Sequence, residues 1–281
     1  MKNFSKKTSL IAKNTDHYLK NFILKQKNNS GLVKAMKYGI FSGGKRFRSI
    51  IVVNVGKIFG IDYKKLIIIG SAIECIHSYS LIHDDLPSMD NDDFRRGKLS
   101  AHKKFNESTA ILAGNSLLTL AFEILAGREL LLSQNIKNEL VKTLANTSGH
   151  SGLAGGQYSD LNLEKKKISK KKIIDMQTKK TGHLFGFCFE SVAIAKNMNF
   201  NRRKELKNLG LDIGLLFQIS DDLIDYEDEK DKITLVNFLG YTEALNFANN
   251  LKKKINKKIK KYGNKANSLL KIVEFILKRK F

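Results

Sequence analysis

Two acidic clusters in this sequence have residue types and spacings that suit metal-ion chemistry. The first covers residues 80–98 and reads SLIHDDLPSMDNDDFRRGK, and the second covers 217–229 and reads FQISDDLIDYEDE. Carboxylate oxygens are preferred ligands of hard divalent cations, and Mg²⁺ commonly joins one or two carboxylates to substrate phosphates. A single acidic cluster would be better explained as a solvated helix end, but both of these follow apolar helical segments. Together they predict a magnesium site for a phosphorylated substrate.

The second cluster has the spacing of one helix face. Residues four apart on a regular helix lie nearly above one another. Asp221 and Asp225 have this spacing, Asp222 lies beside them, and Gln218 is one turn before Asp222. A helix through this segment therefore directs two carboxylates to the same side.

The first cluster is spaced differently and contains the only proline of the chain, Pro87. Asp84 and Asp90 are six residues apart, so an unbroken helix would point them in different directions. Proline lacks the amide hydrogen that continues a helix, and it therefore interrupts the hydrogen-bond ladder. We predict that the helix is broken at Pro87, with two residues looped out, so that Asp84 and Asp90 come together.

The elements that must position these carboxylates are predicted to be helices. Apolar residues recur at helical spacing in SLLTLAFEILAGRELLL (116–132) and SLLKIVEFILKRKF (268–281), and no run of short strands is apparent. Helix ends are indicated at NNSG (28–31), TSGHSG (147–152) and KNMNFN (196–201). No proline-rich or Gly/Ser-rich linker divides the chain. We therefore predict one all-α domain over residues 1–281, and the hydrophobic content of 42% is ample for its core.

The net charge of +23 raises the question of nucleic-acid binding, because basic patches bind phosphate backbones. Most of the basic residues are lysines that are scattered along the chain and are densest near its C-terminal end. This pattern is typical of solvated helix faces, so we expect no nucleic-acid partner. A positive field would still favour a small polyphosphate substrate.

The cysteines and apolar segments indicate the compartment. Cys75 and Cys188 lie in apolar surroundings, which predicts buried thiols and a reducing environment. Lysines interrupt the N-terminal segment, so it lacks a signal-peptide core, and the apolar segment 66–76 is too short to span a membrane. We therefore expect a cytoplasmic protein with no stable membrane association.

Five motifs occur together in this chain. Two are rich in aspartate: DDLPSMD, which is followed by NDDFRRG, and DDLID. The others are GGKRFR (43–48), GGQYSDL (155–161) and KTG (180–182). In order and spacing they resemble the motifs of the trans-polyprenyl diphosphate synthases, specifically the bacterial short-chain enzymes of farnesyl type, whose first motif has a two-residue insertion. The resemblance runs from about residue 30 to the C-terminus. It implies a single large helical bundle around a deep central active-site cavity, in a homodimer.

The resemblance also implies a reaction. An allylic diphosphate, first dimethylallyl and then geranyl diphosphate, ionises to an allylic cation. Isopentenyl diphosphate attacks this cation, and the released diphosphate takes up the proton that is then lost, which gives farnesyl diphosphate. Two or three Mg²⁺ ions per active site are implied, with a ligand set of Asp84, Asp85, Asp90, Asp221, Asp222 and Asp225.

The resemblance assigns further residues to the substrates. The catalytic residues are Lys180, Thr181 and Gln218, where Lys180 and Arg95 add positive charge to the leaving diphosphate and the other two turn oxygen dipoles toward the cation. The full substrate-binding set comprises Lys45, Arg48, His77, Arg95, Arg96, Lys180, Thr181, Gln218 and Lys232. Within this set Lys45, Arg48, His77 and Arg96 are implied to hold isopentenyl diphosphate without metal. Outside the family context, a lone histidine on an apolar helix, such as His77, is more often a core residue.

Tyr79 and Ser80 are expected to control product length. They lie five and four residues before Asp84, about one helical turn deeper in the implied cavity. The small Ser80 leaves the tail channel open, whereas the bulky Tyr79 closes it, which favours a C15 product. The alternative is that Tyr79 is a core residue only.

Some positions depart from the family pattern. The loop after DDLID is shortened to KDKITL, so Lys232 matches only the second of two usual lysines, and Ser49 stands where proline is usual. The KRK sequence at 278–280 resembles the basic tail that covers the second substrate. The alternatives left open are a geranyl or geranylgeranyl diphosphate product, or a synthase subunit that has lost turnover.

Overall fold

The computed structural model describes residues 2–25, 30–163, 168–228, 230 and 232–278. Its secondary structure is almost entirely helical, which confirms the predicted all-α class. Within the described residues one pair of short strands occurs, β1 (Phe94–Arg95) and β2 (Lys98–Leu99), which pair in antiparallel fashion. Arg279 and Lys280 of the predicted basic tail lie outside the described residues.

The chain divides into two compact units. Unit one comprises residues 1–56 and 61–141, and unit two comprises residues 57–60 and 142–281. The single domain over residues 1–281 stays a prediction, and so does the deep central cavity.

Unit one is built around a helix that is apolar on all sides. Its helices are α1 (Lys2–Lys25), α2 (Gly31–Phe41), most of α3 (Phe47–Ile58), α4 (Tyr63–Asp84), α5 (Ala101–Lys104), α6 (Glu107–Ala126) and the first part of α7 (Gln134–Ser148). Every residue of α4 from Leu66 to Ile76 is buried, including Glu74. Burial of apolar side chains contributes about 25 cal/mol per Å². This helix therefore anchors the unit and carries the first aspartate motif at its C-terminal end.

Unit two is built around α10 and α11. Its elements after the end of α7 are α8 (Leu153–Asn162), α9 (Lys170–Gln177), a π-helical turn (Thr178–Gly182), α10 (His183–Ala195), α11 (Phe200–Ile224), α12 (Leu235–Leu239), α13 (Tyr241–Lys260), a 3₁₀ turn (Gly263–Ala266) and α14 (Asn267–Lys278). Phe185, Phe187 and Phe189 of α10 are fully buried. Gly214 allows α11 to approach the π-helical turn, because a Cβ there would lie 2.7 Å from the Cα of Gly182.

Several predicted helix ends are confirmed by capping contacts. The Ser30 hydroxyl accepts a hydrogen bond from the amide of Val33 at the start of α2, and the Asn199 side chain accepts one from the amide of Arg202 at the start of α11. The segment 116–132 is helical only as far as Ala126, where α6 ends at Gly127. The apolar periodicity therefore continues past the end of the helix.

Two described helices, α4 and α6, are long and apolar enough by length and composition to cross a membrane. Within its most apolar stretch α4 is 78% buried inside the protein, which is the environment of a core helix in a soluble protein. The predicted burial of Cys75 and Cys188 is confirmed, and neither thiol is in a disulfide.

Candidate active site

The first aspartate motif begins where α4 ends. The helix ends at Asp84, three residues before Pro87, so the predicted break is confirmed but occurs earlier than the proline. The amide of Asp90 donates to the carbonyl oxygen of Asp84 at 2.9 Å, which brings the two backbones together. The helix does not resume after the break, because the carbonyl of Leu86 accepts hydrogen bonds from the amides of Met89 and Asn91. These turns lead the chain into the β1–β2 hairpin.

Asp85 is buried and is held by the hairpin. Arg95 Nε donates to Asp85 Oδ1 at 2.8 Å, and Nη2 of the same guanidinium donates to that oxygen and to Asp92 Oδ2. Burial raises the pKa of Asp85, and the Arg95 guanidinium opposes this shift. The contact fixes the hairpin against the end of α4. Asp85, Arg95 and Arg96 border a small pocket in unit one. A separate groove of about 810 Å³ in the same unit is lined by none of the motif residues.

Arg96 is presented by the tight turn of the hairpin. Arg96 and Gly97 both have positive φ angles, 56° and 72°, as a two-residue turn of this kind requires. Such a conformation is unfavourable for arginine, and strained residues of this kind cluster at functional sites. Arg96 Nη1 donates to the carbonyl oxygen of Gly43 at 2.7 Å. A Cβ on Gly44 would lie 2.6 Å from the same nitrogen, so glycine is needed there for the contact.

Arg46 holds the GGKRFR loop in place, a role that was not predicted from the sequence. Its side chain is 3% exposed and donates hydrogen bonds to Asp16 at 2.6 Å and to the carbonyl oxygen of Ile40 at 2.5 Å. Its own φ of 52° is positive. Arg46 thus ties the loop to α1 and α2, and this leaves the neighbouring Lys45 exposed to solvent.

His77 lies in a strongly positive environment within unit one. Burial lowers the pKa of His77 well below its ordinary value, and the positive charges of Arg48, Arg96, Arg46 and Arg95 lower it further. The imidazole is therefore neutral at physiological pH. The structure thus brings the charges of Arg48 and Arg96 close enough to His77 to lower its pKa. Arg48 itself is 9% exposed.

Ser49, the residue found where the family usually has proline, makes a backbone contact that proline cannot make. Its amide donates to Oε1 of the buried Glu74 at 3.1 Å. Proline has no amide hydrogen. The departure from the family pattern therefore supplies a hydrogen bond to a buried carboxyl group next to the cationic cluster.

The two residues expected to control product length have different surroundings. Tyr79 is half-buried and packs edge-to-face on His83, with ring centroids 5.1 Å apart. Burial and the nearby charge of Asp84 raise the pKa of Tyr79. Ser80 is buried, and its hydroxyl donates to the carbonyl oxygen of His77 on its own helix.

In unit two a chain of side-chain hydrogen bonds orders the second motif. Thr181 Oγ1 donates to Gln218 Oε1 at 2.7 Å, and Gln218 Nε2 donates to Asp222 Oδ1 at 2.8 Å. Gln177 Nε2 donates to the other oxygen of Asp222 at 2.6 Å. Thr181 and Gln218, which the resemblance assigns to the cation, are thus brought together with Asp222. Gln177 was not predicted, because nothing in its sequence neighbourhood distinguishes it.

Lys180 lies in the π-helical turn and pairs with Asp160 of the GGQYSDL motif. Its Nζ is 2.5 Å from Asp160 Oδ2. A Cβ on Gly156 would lie 2.2 Å from the backbone nitrogen of Lys180, so glycine is required for this close approach of α8 to the π-helical turn. Single-turn π-helices are frequent at functional sites.

Lys232 is exposed in the loop that connects α11 to α12. Its carbonyl oxygen accepts hydrogen bonds from the amide of Thr234 and from Asn237 Nδ2. The hydroxyl of Thr234 in turn caps α12. These hydrogen bonds hold the Lys232 carbonyl oxygen against the start of α12.

The six motif aspartates fall into two groups by exposure. The second aspartate of each DD pair is buried: Asp85 is 3% exposed and Asp222 is 6% exposed. Each accepts hydrogen bonds from neighbouring side chains. The other four are half-buried or exposed, and they are Asp84, Asp90, Asp221 and Asp225. Among the described residues no three His, Cys, Asp or Glu side chains are gathered closely enough to form a metal site. The donor set still fits Mg²⁺ chemically, because it consists of carboxylate oxygens.

Comparison with known proteins places these motifs in a family. The polyprenyl synthetase model matches residues 29–238. A farnesyl diphosphate synthase of Buchnera aphidicola is 43% identical over 206 residues, which cover 72% of this chain and 73% of that protein. A crystal structure of an FPP/GFPP synthase from Zymomonas mobilis matches with a TM-score of 0.90 and 39% identity, over 98% of this chain and 99% of the other. A geranyltransferase structure from Legionella pneumophila matches with a TM-score of 0.92 and 33% identity, over 98% and 96%.

The helical fold and the paired aspartate motifs are those of a class of enzymes that transfer prenyl groups, the trans-prenyltransferases. The chain belongs to the polyprenyl synthetase family. The resemblance seen in the five sequence motifs is thereby confirmed.

Proposed function

We propose that this protein condenses isopentenyl diphosphate with dimethylallyl and then geranyl diphosphate to give farnesyl diphosphate. Family membership and the names of its relatives support this activity. One structural observation gives the strongest support for this activity. The two consecutive arginines of the β1–β2 hairpin join the parts of unit one, since Arg95 bonds Asp85 of the first aspartate motif and Arg96 bonds Gly43 of the GGKRFR loop. The hairpin thereby connects the aspartates proposed to bind metal with the basic residues proposed to bind a diphosphate.

We assign Mg²⁺ binding to the two aspartate motifs, with two or three ions per active site. The more exposed Asp84, Asp90, Asp221 and Asp225 are the primary ligands, whereas Asp85 and Asp222 hold neighbouring side chains in position. When bound, Mg²⁺ neutralises charge on the diphosphate and so makes it a better leaving group.

The residues of unit two act on the allylic substrate. Lys180 supplies positive charge to the departing diphosphate, and Asp160 holds its ammonium group until substrate binds. Thr181 and Gln218 turn hydroxyl and amide oxygens toward the allylic cation, and the Asp222 and Gln177 contacts fix the orientation of that amide. Lys232 contacts the outer oxygens of the allylic diphosphate.

Isopentenyl diphosphate binds to the cationic group of unit one, which consists of Lys45, Arg48, His77 and Arg96. The arginines carry permanent charge and suit phosphate geometry. The neutral imidazole of His77 contributes a hydrogen bond rather than charge, because burial and the arginines keep its pKa low.

A C15 product is the proposal for chain length, with Tyr79 closing the pocket. The half-buried position of Tyr79, near the charge of Asp84, supports this role. A relative named an FPP/GFPP synthase illustrates that product length varies among similar proteins. Geranyl or geranylgeranyl diphosphate is the alternative product.

The protein is proposed to act in the cytoplasm as a homodimer, without nucleic acid or stable membrane association. On α6 the side chains of Ile111 and Leu112 are 41% and 54% exposed, although this helix is strongly apolar. A second copy of the chain would cover such a face.

Product analysis tests the proposed function directly. Purified protein is incubated with Mg²⁺, isopentenyl diphosphate and, in separate reactions, dimethylallyl, geranyl or farnesyl diphosphate, and the products are sized by chromatography. We expect C15 product from the first two substrates and little elongation of the third. A C20 or C10 end product would correct the chain length, and no prenyl product from any substrate would support a subunit that has lost turnover.

A further inference from the structure

The position of the Tyr79 ring depends on the residue one turn later on α4. Tyr79 and His83 are stacked edge-to-face, with ring planes at 82° and centroids 5.1 Å apart. Aromatic pairs in this arrangement are more stable than their buried area alone explains. Both side chains are half-buried, so the contact restricts where the Tyr79 ring can lie.

His83 is in turn held by α6. Its Nε2 lies 3.1 Å from the carbonyl oxygen of Ile111, within hydrogen-bond distance. The edge of the imidazole occupies the space over Gly114, where a Cβ would lie 2.2 Å from Nε2 and 2.4 Å from Cδ2. Real Cβ atoms do not approach so closely, so the imidazole can occupy this notch only because residue 114 is glycine.

We propose that His83 is a positioning residue for product length, and that Gly114 creates the notch that sets it. This inference rests on the proposed function, in which Tyr79 closes the pocket. The notch on α6 locates the imidazole, the imidazole locates the Tyr79 ring, and the ring limits how many carbons of the tail fit. Tyr79 and Asp84 lie on the same helix, about 7.5 Å apart along its axis. The limiting ring and the carboxylate at the diphosphate end therefore keep a constant separation.

Replacement of His83 tests the contact between the rings. His83→Ala removes the support of Tyr79, and His83→Gln keeps an N–H donor for the Ile111 carbonyl but lacks a ring. In reactions with Mg²⁺, isopentenyl diphosphate and geranyl diphosphate, we expect both variants to raise the ratio of C20 to C15 product about tenfold, the discrimination that a change in an apolar pocket provides. The ratio is compared at equal consumption of isopentenyl diphosphate, so that a lower rate does not affect it.

Replacement of Gly114 tests the notch, and α2 provides a matched control. Gly114→Ala should displace the imidazole and change the product ratio, but in the His83→Ala background it should cause no further change. Gly39→Ala is the control, because its Cβ would lie 2.3 Å from Ile82 Cδ1 and would crowd the same helix without touching His83. It should keep the wild-type ratio.

Three results would overturn the inference. The first is a wild-type product ratio in active His83→Ala and His83→Gln variants. The second is an equal shift in Gly39→Ala and Gly114→Ala, which would indicate general crowding of α4. The third is the absence of any prenyl product from the wild-type protein, which would refute the proposed function itself and is distinguished from the others by that control.

Discussion

Arg95 donates two hydrogen bonds to Asp85, and this pair joins the hairpin to the end of α4. The Asp85 side chain is 4% exposed and that of Arg95 is 35% exposed. We expect Arg95→Ala to lower the free energy of unfolding by about 1–3 kcal/mol, because it leaves a buried carboxylate without its charged donor. Denaturant unfolding at neutral pH would measure the loss.

The control for this prediction is Lys103→Ala. Lys103 pairs with Asp93 at 2.9 Å, and both side chains are exposed, at 44% and 55%. Exposed pairs contribute only about 0.2–1 kcal/mol. If the two variants lost equal stability, the Asp85 contact would not be the support of the hairpin.

Gly44→Ala should impair binding of isopentenyl diphosphate. The new methyl group displaces the Arg96 guanidinium, and since a charge-assisted hydrogen bond contributes about 1.5–3 kcal/mol, the Michaelis constant for isopentenyl diphosphate should rise about tenfold or more. The Michaelis constant for geranyl diphosphate should change much less. Steady-state kinetics with each substrate varied in turn measures both constants.

Gly60→Ala separates this effect from backbone strain. Both glycines have a positive φ, +105° at Gly44 and +68° at Gly60, but apart from its two chain neighbours no atom lies within 4 Å of a Cβ added at Gly60. It should cost stability without raising either Michaelis constant. The same kinetic change in both variants would remove Arg96 from the explanation.

His77 should make stability depend on pH. Its pKa in the folded protein lies well below the ordinary value of 6.5, because of burial and the positive charges of Arg48, Arg96, Arg46 and Arg95. Below pH 6.5 the unfolded chain therefore binds a proton that the folded chain does not, so stability is lost as pH falls. The slope from this residue is at most about 1.4 kcal/mol per pH unit.

The comparison with His77→Gln isolates that contribution. The ordinary pKa of histidine is about 6.5, so unfolding is compared at about pH 7.5 and about pH 5.5. Between these two values the wild type should lose more free energy of unfolding than the variant. Thermal or denaturant unfolding at each pH provides the values. Parallel pH profiles for the two proteins would mean that His77 is not held neutral by its surroundings.

Lys232→Ala should weaken use of the allylic substrate. Because one charge-assisted contact to phosphate contributes about 1.5–3 kcal/mol, the Michaelis constant for geranyl diphosphate should rise about tenfold, with little change for isopentenyl diphosphate. Lys230→Ala is the matched control in the same loop, since Lys230 is exposed and pairs with Glu227 at 2.9 Å. Near-wild-type constants for both substrates in Lys232→Ala would make this residue an ordinary solvated lysine.

Local patterns in the sequence predicted much of the fold and the site. The interrupted helix at the first motif follows from the six-residue spacing of Asp84 and Asp90 around Pro87, but in the structure the helix ends at Asp84 and does not resume after two looped-out residues. The resemblance gave Thr181 and Gln218 the same role at the cation, and the hydrogen bond between them is a finding of the structure.

Contacts between distant parts of the chain could not be predicted in this way. The bonds of Arg46 to Asp16, of Gln177 to Asp222 and of His83 to Ile111 join residues far apart in sequence. Their residue types are common and have no periodicity, so only the packing of the helices selects them. Ser49 was noted as a departure from the family, but its bond to Glu74 depends on how α3 packs against α4.

The central claim is that the two aspartate motifs act in one magnesium-dependent reaction. The most direct measurement is the turnover number of three variants: Asp84→Ala, Asp221→Ala and the double variant. It is measured with saturating Mg²⁺, isopentenyl diphosphate and geranyl diphosphate, and circular dichroism verifies the helical fold of each variant. We expect the turnover number of each single variant to fall at least about a hundredfold. The turnover number of the double variant should fall by far less than the product of the two single decreases, because the effects of residues that act as a unit are not additive. Near-wild-type turnover in either single variant, or fully multiplicative losses in the double variant, would contradict the claim.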